Sequence, residues 1–91
     1  MAATFISEVP GWVTSLRAAL ASHDSATVYR VAHGVAGAVG YFRAPSVRQL
    51  AADLEALGRT GQLDGAATLL DRLEAGLLDL SRFLREPPWR H

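Results

Sequence analysis

The sequence predicts an all-α fold, an antiparallel up-down-up-down four-helix bundle. Apolar residues recur at steps of three and four through four long segments of the chain. Prolines, glycines and short polar stretches separate these segments. The connections that remain are only a few residues long, which favours helices that run antiparallel to their neighbours.

The composition indicates a single small domain. With 91 residues, the chain is long enough for one core, and we expect one domain over residues 1–91 that is a monomer. Its 49% hydrophobic and 20% charged residues are typical of a compact chain rather than a disordered one. Nine basic residues offset nine acidic ones without a basic run, so neither nucleic acid nor a membrane is expected as a partner. Proteins are the expected partners.

Several classes of chemistry are excluded or disfavoured by the residues that are missing. The absence of cysteine excludes disulfides, cysteine-based zinc sites and thiol catalysis. No secretion signal is recognisable, and no apolar run approaches the roughly 20 residues of a membrane span. These features predict a cytoplasmic protein. All nine basic residues are arginine, a bias that is typical of a GC-rich coding sequence and plausible for a bacterial protein.

The first helix is predicted over about residues 5–21, where an apolar stripe follows helical spacing. Its start lies at Thr4 or at Ser7. With Ser7 as the N-cap, Pro10 falls in the first turn, where a missing N–H group is harmless. An earlier start would put Pro10 inside the helix and predict a kink there.

The second helix is predicted over about residues 25–43, with Asp24 or Ser25 as its N-cap and Pro45 beyond its end. Helical spacing collects larger apolar residues on a core face: Val28, Val31, Val35, Ala38, Val39 and Phe42. Mostly small residues surround a histidine on the outer face: Ala26, Tyr29, Arg30, His33, Ala36, Gly37 and Gly40. His33 is therefore expected to point away from the core.

The third helix is predicted over about residues 46–60. Its expected core residues are Val47, Leu50, Ala51, Leu54 and Leu57, and its expected exposed stripe is Arg48, Ala52, Glu55 and Arg59. Gly58 and Gly61 indicate its end. Glu55 and Arg59 have the spacing of a surface ion pair within one helix.

The fourth helix is predicted over about residues 63–85, because apolar residues alternate steps of three and four from Leu63 to Leu84. Two prolines, Pro87 and Pro88, stop it. Residues 86–91 form a tail, in which Trp89 either packs on the end of the bundle or belongs to a disordered segment.

Three glycines, Gly34, Gly37 and Gly40, make the outer face of the second helix unusually thin. Each costs about 0.5–1 kcal/mol relative to alanine in a helix interior, so small size is itself a requirement there. One interpretation is that the glycines leave room for a large partner to approach His33. The other is that they permit close packing against the third helix or a second subunit.

The stretch AHGVAGAVGYF, residues 32–42, resembles the signature of histidine-containing phosphotransfer (Hpt) domains, the carriers of two-component phosphorelays. His33 matches the phosphorylated histidine of that family, Val35 its apolar residue and Gly37 its glycine. The family usually has a lysine at the position of Ala36. The resemblance continues through FISEVPGWVTSLRAALASHD, YFRAPSVRQLAADLE and GQLDGAATLLDRLEAGL, and covers about 80 of the 91 residues.

The resemblance implies a role for each matched residue. His33 is the phosphorylated residue, and Glu55 accepts a hydrogen bond from its Nδ1, which leaves Nε2 as the nucleophile. Arg30 is the favoured partner for the phosphoryl oxygens in place of the family's lysine, and Arg48 and Arg59 are alternatives. The outer face of the second helix docks the partner through Ala26, Tyr29, Arg30, Ala36, Gly37 and Gly40.

By the same resemblance, the chain is expected to accept a phosphoryl group from a receiver-domain aspartyl phosphate and to pass it to another receiver. Its partners are response-regulator receiver domains and a hybrid sensor histidine kinase. No cofactor or metal site is expected in the chain, because His23, His33 and His91 are too scattered to form a metal motif. Mg²⁺ is expected only in the receiver, and the chain is too short for kinase activity of its own. The alternative is a non-phosphorylated helical adaptor that binds proteins through the small-residue face.

Overall fold

The structure, a computed structural model, describes residues 2–85 and the side chains from residue 3 onward. It contains four α-helices: α1 (Ala2–Ala21), α2 (Ser25–Val39), α3 (Pro45–Thr60) and α4 (Ala66–Arg85). A short 3₁₀ helix, Gly40–Phe42, follows α2. Within residues 2–85 there is no strand, so the all-α prediction is confirmed. The antiparallel up-down-up-down order stays a prediction.

The helices enclose one apolar core. α2 contacts α1 and α3, and α4 contacts the same two helices, so each helix has two neighbours. The contact between α2 and α3 is the most extensive, and these helices carry His33 and Glu55. Burying a large aliphatic side chain contributes about 1.5–3 kcal/mol. The largest fully buried side chains are Leu16, Val28, Val35, Val39, Leu54, Leu70, Leu73 and Leu77.

α1 begins earlier than the sequence predicts. It starts at Ala2, so Ser7 is not its N-cap, and the Ser7 hydroxyl instead donates to the carbonyl of Thr4 at 2.9 Å. Pro10 consequently lies inside the helix. The first turns of α1 pack against the core, because Phe5 is buried. Tertiary burial thus extends α1 beyond the start that capping rules indicate.

Both ends of α2 have a clear local cause. The predicted cap at Asp24 is confirmed: its carboxylate accepts from the Thr27 amide at 3.2 Å and the Thr27 hydroxyl at 2.6 Å, which lowers the pKa of Asp24. The α-helix ends at Val39 rather than at residue 43, because the chain tightens into the 3₁₀ helix. Arg43 then adopts the left-handed conformation with φ 52°, which no helix can continue through.

The buried face of α2 is rotated toward α3 relative to the prediction. Val31, Ala38 and Phe42, expected in the core, are only partly buried. Ala32 is fully buried instead, and Ala36, expected on the outer face, is 9% exposed. α3 packs closely along this side of α2, so the small residues of α2 on this side form the contact between the two helices. The prediction of an exposed Ala36 is therefore wrong.

Gly58 permits the close approach of α2 and α3, rather than ending α3. α3 ends two residues later, at Thr60, and the left-handed Gly61 with φ 78° follows as its C-cap. A Cβ atom on Gly58 would lie 2.5 Å from the backbone nitrogen of Tyr29 and 3.0 Å from the carbonyl oxygen of Ser25. Only glycine fits at this distance. The absence of a side chain at residue 58 therefore sets the spacing of the two helices that carry His33 and Glu55.

We predict that Gly58→Ala destabilises the fold, because the obstructing atoms belong to the backbone of α2 and cannot rotate away. A forced shift of this kind costs about 1–3 kcal/mol, measurable by urea unfolding. Gly34→Ala is the matched control, since a Cβ there meets nothing within 4 Å. It should stabilise the chain by about 0.5–1 kcal/mol. Equal effects of the two substitutions would contradict the close approach at Gly58.

α4 begins at Ala66 rather than at residue 63, because Gly65 has a φ of 79° and breaks the helical backbone before it. The predicted apolar repeat is confirmed in the middle of α4, where Leu70, Leu73 and Leu77 are fully buried. Leu63, Leu80 and Leu84 at its ends are only partly buried. The predicted tail of residues 86–91, with its Trp89, lies outside the described residues.

Candidate functional site

His33 projects from α2 into open space. Its side chain is 68% exposed, as the helical spacing predicts. Gly34 and Gly37 flank this exposed position, and a Cβ atom added to either would meet no atom within 4 Å. The glycines are therefore not needed for packing within the chain. Their effect is to leave the approach to the histidine free of side chains.

Glu55 contacts Nδ1 of the imidazole. Its Oε2 lies 3.2 Å from Nδ1 of His33, and its side chain is only 18% exposed because α3 packs directly beside α2. A carboxylate accepts hydrogen bonds, so Nδ1 carries the proton in this pair. Nε2 of the neutral ring then keeps its lone pair. Among the ion pairs of residues 3–85, Glu55 is paired with His33, and no Glu55–Arg59 pair forms.

Tyr29 contacts the imidazole from a second direction. Its ring lies one turn before His33 and is nearly parallel to it, with the centroids 6.0 Å apart and the planes at 19°. Stacking of flat rings restricts the rotation of the smaller one. The imidazole thus has the Glu55 carboxylate on one side and the Tyr29 ring on another, while it remains exposed.

A groove of about 550 Å³ opens beside His33, between α2 and α3. His33 and Glu55 line it, together with the small residues Ala36, Gly37 and Gly40 of the face around the histidine. Two arginines, Arg43 and Arg48, line the same groove. The site thus combines an exposed imidazole, a carboxylate on its Nδ1 and positive charge in one depression.

A family model for the Hpt domain matches residues 1–83 of the chain. The chain belongs to the Hpt domain family. Hpt domains are helical bundles that take part in histidine phosphotransfer in phosphorelays, where they interact with receiver domains and kinases. Comparisons with curated proteins and with solved structures give no match. The match confirms the family that the histidine motif and the helix pattern indicate.

This Hpt domain brings together only part of the outer face that the sequence predicts. Ala36, Gly37 and Gly40 line the groove with His33, although Ala36 is buried. Other members of that face lie outside the groove. Ala26 and Tyr29 line a separate pocket of about 380 Å³, which also contains Ser25, Gly58 and Arg59.

The structure changes which arginines of the Hpt domain share a groove with the imidazole. Arg30, the residue favoured from the sequence as phosphate partner, lines neither this groove nor the pocket beside Tyr29. Arg48, an alternative, does line the groove, and so does Arg43, which sequence reasoning missed. Helical spacing assigns no direction to Arg43, because it lies beyond the helix in a left-handed conformation. Its place before Ala44 and Pro45, where a helix must end, was the available signal.

Two further properties concern the described part of this Hpt domain. Within residues 2–85, no helix combines the length and the apolar character needed to cross a bilayer. Among the same residues, no group of three histidine, aspartate or glutamate side chains is close enough to hold a metal ion.

Proposed function

We propose that this Hpt domain is a phosphorelay carrier in which His33 accepts a phosphoryl group from the aspartyl phosphate of a receiver domain and passes it to a second receiver. The observation that supports this most directly is the pairing of His33 with Glu55 at an open groove. The pairing occupies Nδ1 and leaves Nε2 available on an exposed ring. Response-regulator receivers and a hybrid sensor histidine kinase are the proposed partners, in the cytoplasm.

The transfer step follows from the state of the imidazole. The Nε2 lone pair of His33 attacks the phosphorus atom, and the bond from phosphorus to the aspartyl oxygen breaks. The electron pair of that bond leaves with the carboxylate of the receiver. The imidazole then carries the phosphoryl group on Nε2 and the proton on Nδ1. Glu55 stabilises the positive charge of this ring, and transfer to the second receiver reverses the same steps.

Such a carrier needs little catalytic machinery of its own. Phosphoryl transfer depends chiefly on the alignment of the reacting atoms and on neutralisation of the charge on the phosphoryl oxygens. We propose that Mg²⁺ in the receiver supplies most of that neutralisation. The Hpt domain contributes an oriented nucleophile and an unobstructed approach, without kinase activity or a cofactor.

The direct test is to mix the chain with a phosphorylated receiver and Mg²⁺ and to follow the label. We expect one phosphoryl group per chain, labile in acid and stable in base, as a phosphohistidine is. A chain that binds receivers but takes up no label from any of them would overturn the proposal. That result would support the adaptor, which uses the same face for binding alone.

We predict that Glu55→Ala slows phosphoryl transfer by about 10–100-fold, the scale seen when a carboxylate that orients a histidine ring is removed elsewhere. The ring loses its fixed tautomer and the compensation of its positive charge. Glu55→Gln should lower the transfer rate less, because the amide oxygen still accepts a hydrogen bond from Nδ1. Single-turnover transfer from a phosphorylated receiver measures both rates.

Asp53→Ala is the matched control for Glu55. Asp53 lies on the same helix and binds Gln49 at 2.8 Å rather than His33. Its loss should leave the transfer rate unchanged. Equal rates for Glu55→Ala and the unsubstituted chain would show that Glu55 does not act on the imidazole.

A further inference from the structure

The groove between α2 and α3 contains positive charge that the imidazole–carboxylate pair does not use. We propose that Arg48 binds the oxygens of the phosphoryl group while it is attached to His33, which makes this groove an anion site. The inference rests on the proposed function of His33. It assigns to Arg48 the role that the sequence favours for Arg30.

The position of Arg48 is the first support. Its side chain extends from α3 across the end of α2, where Nε lies 3.7 Å and Cδ 3.9 Å from the position of a Cβ on Gly40. Between Gly40 and His33, the residues of α2 that line the groove are Ala36 and Gly37. Neither has a side chain larger than a methyl group. No bulky residue of α2 therefore separates the guanidinium from the imidazole.

The lack of a competing carboxylate is the second support. Within residues 3–85, Arg17 is bound by Asp71 and Glu74, whereas Arg48 forms no ion pair within 4 Å. Glu55 lines the groove, but its carboxylate faces Nδ1 of His33. The Arg48 guanidinium keeps its donors free for an incoming anion.

The chemistry of the two groups is the third support. A protein-bound phosphoryl group carries roughly −1.5 to −2 charges near neutral pH. A guanidinium is always protonated, and its planar set of donors matches phosphate oxygens in a bidentate arrangement. Arg43 lines the same groove and adds to the positive potential. Arg59 lines the separate pocket beside Tyr29 and not this groove, which is why Arg48 rather than Arg59 is proposed.

The first test needs no phosphoryl transfer. Inorganic phosphate is titrated into the unphosphorylated chain while the Arg48 Nε–H and His33 ring signals are followed by NMR. We expect both to shift along one saturable curve, and we expect Arg48→Gln to weaken binding about tenfold or more. Arg59→Gln, on the same helix, should bind as the unsubstituted chain does. The inference would be overturned if the Arg48 signal did not shift, or if Arg59→Gln weakened phosphate binding as much as Arg48→Gln does.

The second test uses the phosphorylated chain without any receiver. A nearby guanidinium favours the dianionic phosphoryl group, so its second ionisation, followed by phosphorus NMR, should occur at higher pH in Arg48→Gln. Arg48→Lys should retain much of the effect. An unmoved midpoint in Arg48→Gln would mean that Arg48 does not contact the phosphoryl group. If His33 takes up no phosphoryl group at all, the proposed function fails. The phosphate titration alone then tells whether Arg48 binds phosphate in the groove.

Discussion

His33→Gln leaves the Hpt domain unable to take up a phosphoryl group from a phosphorylated receiver. Glutamine has similar length and polarity, but its amide nitrogen has no free lone pair with which to attack phosphorus. We expect labelling to fall by on the order of 10³-fold or more, as for the loss of other covalent nucleophiles. Stability should change by less than about 0.5 kcal/mol, because the side chain is exposed. Labelling and thermal unfolding measure the two effects.

His23→Gln is the matched control, because His23 is also exposed but lies in the turn after α1 with a φ of 55°. It should be labelled as the unsubstituted chain is. Label that persists in His33→Gln would refute the site. Loss of label in His23→Gln, with the helices intact, would refute it equally.

Gly37→Leu should block transfer while the fold stays intact. A Cβ atom added at residue 37 would meet no described atom within 4 Å, and Gly37 lines the groove that the receiver must reach. Misplacement of reacting atoms by about 1 Å lowers the transfer rate by about 10²-fold, and we expect at least this loss in kcat/KM. Helical content should be unchanged, because leucine is a better helix former than glycine.

Gly11→Leu is the control for added bulk. Gly11 is an exposed glycine of α1, its Cβ would also meet nothing within 4 Å, and it does not line the groove beside His33. Transfer by this variant should match the unsubstituted chain. Unfolding of Gly37→Leu would show that the residue is packed in solution, and unchanged transfer would show that the receiver does not dock there.

The four helices were largely predictable from the sequence. Their bounds were not predictable at the positions where the backbone adopts the left-handed conformation. Periodicity locates all four, because each helix buries one apolar stripe. Gly65 has a positive φ and shortens α4, whereas α2 ends at Val39, where the chain tightens into the 3₁₀ helix that leads to the left-handed Arg43. The residue type of Arg43 gives no signal, since glycine normally marks that conformation, and only the following Ala44 and Pro45 indicate that a helix ends nearby. The early start of α1 depends on burial of Phe5, which capping patterns do not report.

The pairing of His33 with Glu55 was predictable, but the surface that surrounds the pair was not. His33 and Glu55 are 22 residues apart, and the family resemblance, rather than their spacing, indicates their contact. Ala36 is buried where α2 packs closely against α3, and Gly58, which permits a close approach of the two helices, is on the other helix. Periodicity places Arg48 and Arg59 on the same stripe of α3 as Glu55, but it does not tell which of the two arginines lines the groove.

In the proposed phosphotransfer, Glu55 keeps the proton on Nδ1 of His33 and thereby leaves Nε2 as the phosphoryl acceptor. The most direct measurement is an NMR spectrum of the phosphorylated chain with nitrogen-15 in its histidines, which shows the nitrogen to which phosphorus is coupled. We expect coupling to Nε2 of His33, with a protonated Nδ1. Coupling to Nδ1 of His33, or to a nitrogen of His23 or His91, would contradict this assignment.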